Sequence, residues 1–313
     1  MASHIQLLGR VIISAKLHLK SGLRIGATDT GIVVSSVNTI IRDPITNKPY
    51  IPGSSIKGKL RSLFEKAHAC DQHYPVQKIK IHVCTNESDY LKCPVCPIFG
   101  IPADEPDLRK FSISTPTRLV VRDAHLNPNS EKELKARNLD SELSELKTEV
   151  AIDRLTSHAV PRTQERIPAG TVMDFEAVFS FYDDPNDIKH FLNFRQALLL
   201  LEQDYLGGSG SRGYGQVVFK NIKLVRAKTK SADTDGAPKE YEGEEDKKEK
   251  DDKKDKKDEK DKNAVAKLLA DNTLEEWLRE KLETPKPVTP SPKTGEAVAN
   301  STPASSTSEN LGA

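Results

Sequence analysis

"IIRDPITNKPYIPGSSIKGKLRSL", residues 40–63, is the stretch on which the fold turns. Asp43, Pro44 and Asn47 carry turn chemistry, Tyr50 and Ile51 make a short apolar strand, and Pro52 with Gly53 closes it. From there Ile56, Leu60, Leu63, Phe64 and Ala67 recur at helical spacing, so a helix opens here, with Ser54 or Ser55 as candidate N-cap. The same residues imitate a nucleotide-binding loop, because Gly53, Gly58 and Lys59 fit G-x-x-x-x-G-K. The next position should offer magnesium a hydroxyl and is Leu60, and the approach, with Pro49 and Pro52, is not the apolar strand of such a loop. What remains is a helix N-terminus with two small hydroxyls and with Lys57, Lys59 and Arg61, chemistry suited to phosphate. The plainer reading is a capped helix with a solvated basic face.

Outward from this step, Val11 to Leu19 alternates: Ile13, Ala15, Leu17 and Leu19 share one face, Ser14, Lys16 and His18 the other, as in a half-buried strand. "TRLVVRDA" (Thr117–Ala124) and "MDFEAVFSFY" (Met173–Tyr182) also read as strands. Asp184–Pro185 starts a helix with Ile188, Phe191, Leu192, Leu198 and Leu199 as its stripe, and "YGQVVFKNIKLV" reads as the last strand. Strand, helix, strand, strand, helix, strand predicts an α+β fold, a ferredoxin-like (RRM-like) palm over residues 1–227. Two insertions decorate it, a Cys-rich one at 69–115 and a polar, helix-prone one at 127–170.

Three of the decorations could carry chemistry. In "YLGGSGSRGYGQV", Gly207, Gly208, Gly210, Gly213 and Gly215 leave few side chains, so a ligand or a backbone can approach closely. Ser209 and Ser211 lie between them, and Arg212 and Tyr214 can pair with phosphate or stack on a base. The alternative is a flexible hairpin. Cys70, Cys84, Cys93 and Cys96 lie in one insertion, and "CPVC" is half of a zinc knuckle. Four thiolates would close a structural zinc site, with His68, His73 or His82 able to replace one of them. Free thiols are the competing reading. In the loop after the first strand, Asp29 stands among Gly26, Thr28 and Gly31 as a candidate magnesium ligand or proton acceptor, though a loop Asp is more often a turn former.

The 313 residues carry a net charge of +1, unevenly spread. Residues up to 227 hold about +5 and the remainder about −4, and a mildly basic body is compatible with nucleic acid. Residues 228–262 form a mixed-charge run unable to bury a core, and 285–313 are Pro/Ser/Thr-rich; both read as disordered. Between them, at 263–284, Thr273 with Glu276 makes a capping box for a short helix bearing Leu274, Trp277, Leu278 and Leu282. That helix is either an isolated element or a partner-docking peptide. No apolar run has the length of a signal peptide or a membrane span, so a cytoplasmic protein without structural disulfides is expected.

Taken together, "GLRIGA" (22–27), residues 40–63, "RLVVRDA" (118–124), "EVAIDRLTSHAVPRTQERIPAGT" (149–171) and "LEQDYLGGSGSRGYGQV" (201–217) resemble, in order, the RAMP-superfamily backbone subunit of type III CRISPR–Cas effector complexes. The kinship is with the III-A and III-D subunits. The resemblance covers about residues 8–226. It implies a palm stacking with further copies of itself along a CRISPR RNA, beside other effector subunits including the large polymerase-like one. It also implies a thumb-like hairpin at "DRLTSHAVPRTQER" that inserts into the duplex of guide and single-stranded target RNA. The guide backbone would be held by His18, Gly53, Ser54, Ser55, Lys57, Lys59, Arg61, Arg122, Arg154, Arg162 and Arg166. Gly208, Ser209, Gly210, Ser211, Arg212 and Tyr214 would complete the grip. Target RNA would be cut by a Mg2+- or Mn2+-dependent endoribonuclease in which a first-loop carboxylate assists attack by the neighbouring 2′-OH. One departure stands out. The family's Asp lies a few residues before the "RDP" turn, where this chain has Asn38, and Asn is no base. Either Asp29 takes that role or the chain only scaffolds. A free-standing zinc-containing RNA-binding module would leave the ordered motifs unexplained.

Overall fold

The computed structural model describes residues 5–27, 37–102, 111–137, 139–228, 240–241 and 278. In chain order the elements are β1 (Leu7–Leu19), β2 (Val37–Asn38), β3 (Tyr50–Ile51), α1 (Gly53–Ala67), β4 (Tyr74–Val76), β5 (Ile79–Ile81), α2 (Glu87–Lys92) and α3 (Cys96–Phe99). There follow β6 (Leu119–Val121), β7 (Ala124–Leu126), α4 (Pro128–Lys135), β8 (Glu145–Ile152), β9 (Ala159–Arg166), β10 (Val172–Tyr182), α5 (Asp187–Gln203), a 3₁₀ turn (Gly210–Arg212), β11 (Val217–Lys228) and β12 (Glu240–Tyr241). The main sheet is mixed with helices in an α/β arrangement. Its strands run β12-β11-β1-β10-β7-β3, with β6 also on β10. β1 lies antiparallel between β10 and β11, Ile13 opposite Ala177 on one side and Leu224 on the other.

The alternation of β1 places Val11, Ile13, Ala15, Leu17 and Leu19 on the buried face, joined there by Met173, Phe175, Ala177, Phe179 and Phe181 of β10. α1 lays Ile56, Leu60 and Phe64 against this face; Leu63 is half-buried and Ala67 exposed. α5 is rotated from its expected stripe. Phe191, Phe194, Leu198 and Leu201 point inward, Ile188, Leu192 and Leu199 are only half-buried, and Asp187, His190 and Arg195 are buried with the phenylalanines. The cause lies just before β6. Arg118, 1% exposed, pairs with Asp187 and at 2.6 Å with Asp184, so polar residues enter the core in company. Ring contacts of Phe179 with Phe181 and Phe191 at 5.1 and 5.2 Å complete it.

Neither Ser54 nor Ser55 caps α1. Pro52 occupies the N-cap, and the Gly53 N–H donates to the Asp123 carboxylate at 2.7 Å. The segment expected to be helix-prone, 127–170, holds one helix, α4, and then the β8–β9 hairpin, whose base pairs with β2 through Val37–Thr163 and Asn38–Gln164. Met1–Leu282 group as one compact unit, with Leu278 fully buried. The remainder of the 263–284 helix, the 228–262 run apart from Lys228 and Glu240–Tyr241, and the 285–313 tail lie outside the described residues.

Candidate nucleic-acid interface and metal centre

The Cys-rich insertion folds around four donors, and Cys70 is not one of them. His82, Cys84, Cys93 and Cys96 bring their ligand atoms within 4.8 Å of one another. His82 Nε2 lies 3.3 Å from Cys93 Sγ and 3.6 Å from Cys84 Sγ. These separations match the edges of a tetrahedron with zinc–sulfur bonds of about 2.3 Å and zinc–nitrogen bonds of about 2.0 Å. His82 Nδ1 faces the Asp71 carbonyl at 3.1 Å, the outer contact that leaves Nε2 for a metal. The N–H groups of Val95 and Cys96 donate to Cys93 Sγ, both at 3.3 Å. Hydrogen bonds from the Cys84 and Cys96 thiols and from these N–H groups hold Cys93 far below the usual thiol range. The correction has a local cause. His82 and Cys84, two apart where the chain leaves β5, point to the same side, whereas Cys70 closes the end of α1 with its N–H on the Glu65 carbonyl at 3.0 Å. Burial raises the Cys70 thiol. A second grouping, Asp184, Asp187 and His190, is filled by the Arg118 guanidinium and is an ion-pair network, with burial pushing Asp187 up to about 6.

Lys57, Lys59 and Arg61 of α1 face inward, contrary to the expectation that they meet phosphate. Arg61 donates to Glu65 at 2.7 Å, to the Gly100 carbonyl at 3.0 Å and to the His82 carbonyl at 2.5 Å, tying the helix to the metal group. Lys57 donates to the Leu119 carbonyl at 2.9 Å, and burial lowers its pKa. Lys59 pairs with Asp204 at 2.9 Å and lies 3.6 Å from the centre of the Tyr205 ring. Gly53 is glycine because a Cβ would overlap the Val121 carbonyl. Of the segment, Ser54 and Gly58 are exposed.

The Gly-rich loop is different. Its glycines answer mainly to backbone. A Cβ on Gly207, which has φ 78°, would overlap the Arg24 carbonyl, and one on Gly215 the Leu206 carbonyl. Gly208 N–H donates to Arg24 O at 2.8 Å. A Cβ on Gly210 would overlap the Tyr205 ring. Tyr214 is 1% exposed, its ring covered by Lys147 at 4.6 Å and Arg166 at 5.0 Å, so the expected base-stacking platform is a core residue. Ser211 and Arg212 are exposed, and Ser209, at φ 61°, reaches Gln164 of β9 at 3.4 Å. The loop therefore abuts the β8–β9 hairpin. On the hairpin's loop-facing side Glu149 stands opposite Arg162, and Glu145 opposite Arg166, in ion pairs of 2.8 and 2.6 Å. Arg166 is packed where a Gly22 Cβ would go. Beyond them the hairpin exposes apolar side chains, Val150, Ile152, Val160 and, in its otherwise polar turn, Leu155 at 95%, beside exposed Arg154. Arg122, 60% exposed, pairs with Glu176 at 2.6 Å on the sheet's outer face, which His18 shares half-buried.

Asp29 lies outside the described residues. The backbone of Asn38, on β2, is held against Gln164 at the foot of the hairpin. There Glu165 accepts from Ile40 N–H at 3.0 Å, Arg42 at 2.6 Å and Ser144 at 2.5 Å, beside an open cleft of about 470 Å³ lined by Thr39, Arg42, Asp140 and Leu146. Sequence reasoning passed over Glu165, Glu149 and Arg24, whose buried Nε has no hydrogen-bond partner among the described residues. All three lie in the ordered motifs, Arg24 in "GLRIGA" and the two glutamates in "EVAIDRLTSHAVPRTQERIPAGT", but their neighbours in the chain do not single them out.

A family model described as the RAMP superfamily matches residues 16–219. The chain belongs to the RAMP superfamily. Among its relatives, this RAMP chain is 41% identical over 230 residues to the "CRISPR system Cms endoribonuclease Csm3" of Methanothermobacter thermautotrophicus, covering 68% of this chain and 84% of that protein. It is 36% identical over 250 residues to the protein of the same name from Methanocaldococcus jannaschii, covering 78% and 89%. The Csm3 of Streptococcus thermophilus is 37% identical over 219 residues, covering 69% and 90%. The matched region of this RAMP chain spans α1, the knuckle, the hairpin and the Gly-rich loop, and stops before the charged run.

Proposed function

We propose that this chain is the guide-binding backbone subunit of a type III CRISPR effector, acting on target RNA as an endoribonuclease. One observation carries the reading in a chain so related to Csm3. The hairpin exposes Val150, Ile152, Leu155 and Val160 toward its turn, and its base meets the basic, exposed turn of the Gly-rich loop. A hairpin of that kind suits insertion between stacked bases, with Arg154, Arg162 and Arg212 toward the phosphates. The strand order β11-β1-β10-β6, with α1 and α5 on one face, supports a ferredoxin-like palm. Residues 1–227 are the RNA-binding domain, and further copies and other effector subunits assemble with it along CRISPR RNA. Zinc is held by His82, Cys84, Cys93 and Cys96 as scaffolding. No helix among the described residues is long and apolar enough to cross a membrane, in keeping with a cytoplasmic complex.

Cleavage needs a carboxylate, since Asn38 is neutral and accepts no proton. Asp29 takes that part, with Mg2+ or Mn2+ supplying charge neutralisation at the scissile phosphate. The deciding measurement is target cleavage by the assembled complex. Asp29→Ala should abolish cutting at regular intervals while guide retention is unchanged, and Asn38→Ala should leave cutting within a few-fold of the parent. Cutting that survives Asp29→Ala removes the role from this residue. A parent complex that holds guide and target and never cuts makes the chain a scaffold.

A further inference from the structure

We propose that Arg162 and Arg212 form one clamp for an RNA backbone phosphate, and that Glu149 is its resident counter-anion, which the phosphate must displace. The inference rests on the guide-binding reading and adds to it a gate. Two guanidiniums from elements far apart in sequence meet on a single oxygen: Arg162 Nη2 lies 2.8 Å and Arg212 Nη1 3.2 Å from Glu149 Oε2. One cation stands across the β8–β9 ladder from Glu149, and the other comes from the 3₁₀ turn at Gly210–Arg212.

The exposures are unequal in an informative way. The Arg162 and Arg212 side chains are 41% and 50% exposed, Glu149 only 13%, so the cations face solvent and the acid sits behind them. An anion arriving from solvent meets the guanidiniums first. Carboxylate and phosphodiester carry like charge and accept from the same planar fork, so one can replace the other without rebuilding the cations' surroundings. The neighbouring Glu145–Arg166 pair lacks this character, because Arg166 is held over Tyr214 and against Gly22.

A tethered carboxylate competes with every free anion at the effective concentration its backbone imposes. A lone phosphate loses that contest. A strand already held at neighbouring positions wins it, so the clamp closes on polynucleotide and stays shut against small anions. Removing the charge of Glu149 should open it to both.

The test is binding of the full chain to a mixed-sequence single-stranded oligoribonucleotide across a potassium chloride series. Glu149→Gln should bind about fivefold to tenfold more tightly than the parent, with the log-affinity slope against log salt unchanged, because the same phosphate is held in both. Arg212→Ala should weaken binding, and adding Glu149→Gln to it should recover less than half of the gain seen alone. Should the Gln variant not fold, as read by thermal unfolding, Glu149→Ala carries the same expected sign. Weaker or equal binding by a folded, charge-free variant overturns the gate and makes Glu149 a positioning group for the arginines. If parent and variants alike ignore RNA, the guide-binding reading itself fails, which is a different result.

Discussion

The helix that begins at Gly53 and the turn that begins at Gly210 are written alike, with glycines, serines and cations in close succession, yet they face opposite ways. In α1, Lys57, Lys59 and Arg61 find acceptors inside the protein: carbonyls of Leu119, His82 and Gly100, and carboxylates of Glu65 and Asp204. Even the anion site at the helix N-terminus is filled, by Asp123. Among the described residues Arg212 has one acceptor, Glu149, and it stands half exposed. Basic character in a sequence counts charges. What decides whether they meet phosphate is the number of chain acceptors within reach, and α1 is packed on both flanks while the turn is packed only through its backbone.

Removing the metal should divide the two regions most sharply. The His82 carbonyl that Arg61 holds belongs to a residue of the four-donor group, so loss of the proposed zinc would free the knuckle and with it the anchor of α1. Structural zinc contributes about 10–16 kcal/mol in finger peptides, which makes this the largest expected effect. Chelation followed by hydrogen exchange should show protection lost across 70–101 and reduced along α1, with 206–217 little changed. Metal analysis of the purified chain should find zinc. A metal-stripped protein with unchanged exchange would break the link between knuckle and helix.

The next test exchanges one cation from each region. Arg61→Met strips buried Glu65 of its ionic partner, leaving only Gln72 among the described residues, and two carbonyls of their donor, and breaking such a pair costs about 3–5 kcal/mol, read as a shift of the urea midpoint. Arg212→Ala should change stability by no more than about 0.5 kcal/mol, while RNA affinity falls about tenfold at every sequence and the salt slope shrinks by about one phosphate. Reversed outcomes, stability lost at Arg212 and affinity alone lost at Arg61, would mean that the inward and outward assignments are exchanged.

Where local pattern suffices, the sequence is a good guide. The alternation of Val11–Leu19 is the buried face of β1, and Ile56, Leu60 and Phe64 are the core edge of α1. The family motifs are local too, and they led to the superfamily. The losses come from partners distant in sequence. α5 is rotated because Arg118, just before β6, admits Asp187 to the core, and nothing near Asp187 announces it. Counting thiols favours Cys70 over His82 for the four-donor group, whereas an H-x-C step leaving a strand sets two donors side by side. The glycines of 207–215 signal close approach correctly, but what approaches is largely the chain's own backbone and Tyr205. Tyr214 reads as exposed from its glycine neighbours and is buried by cations of the hairpin.

The mildest test addresses the joint between the two regions. Arg42 belongs to the turn that leads toward α1, Glu165 to the foot of the hairpin that meets the Gly-rich loop, and their 2.6 Å pair fastens one to the other. Burial works to raise the Glu165 pKa, but hydrogen bonds from Ser144, Arg42 and the Ile40 N–H outweigh it and hold the carboxyl below its ordinary range. A depressed carboxyl stabilises the fold above its unfolded pKa, and that contribution is lost as pH falls through the folded value. The joint should therefore be intact at pH 6 and loosen below the ordinary glutamate range. Limited proteolysis of the 144–167 segment should accelerate there more than cleavage elsewhere. Glu165→Gln cannot titrate, so it should show raised cleavage at pH 6 and a flatter pH profile. Identical profiles in parent and variant would place the acid sensitivity in other groups and leave the hairpin fastened by the β2–β9 pairing instead.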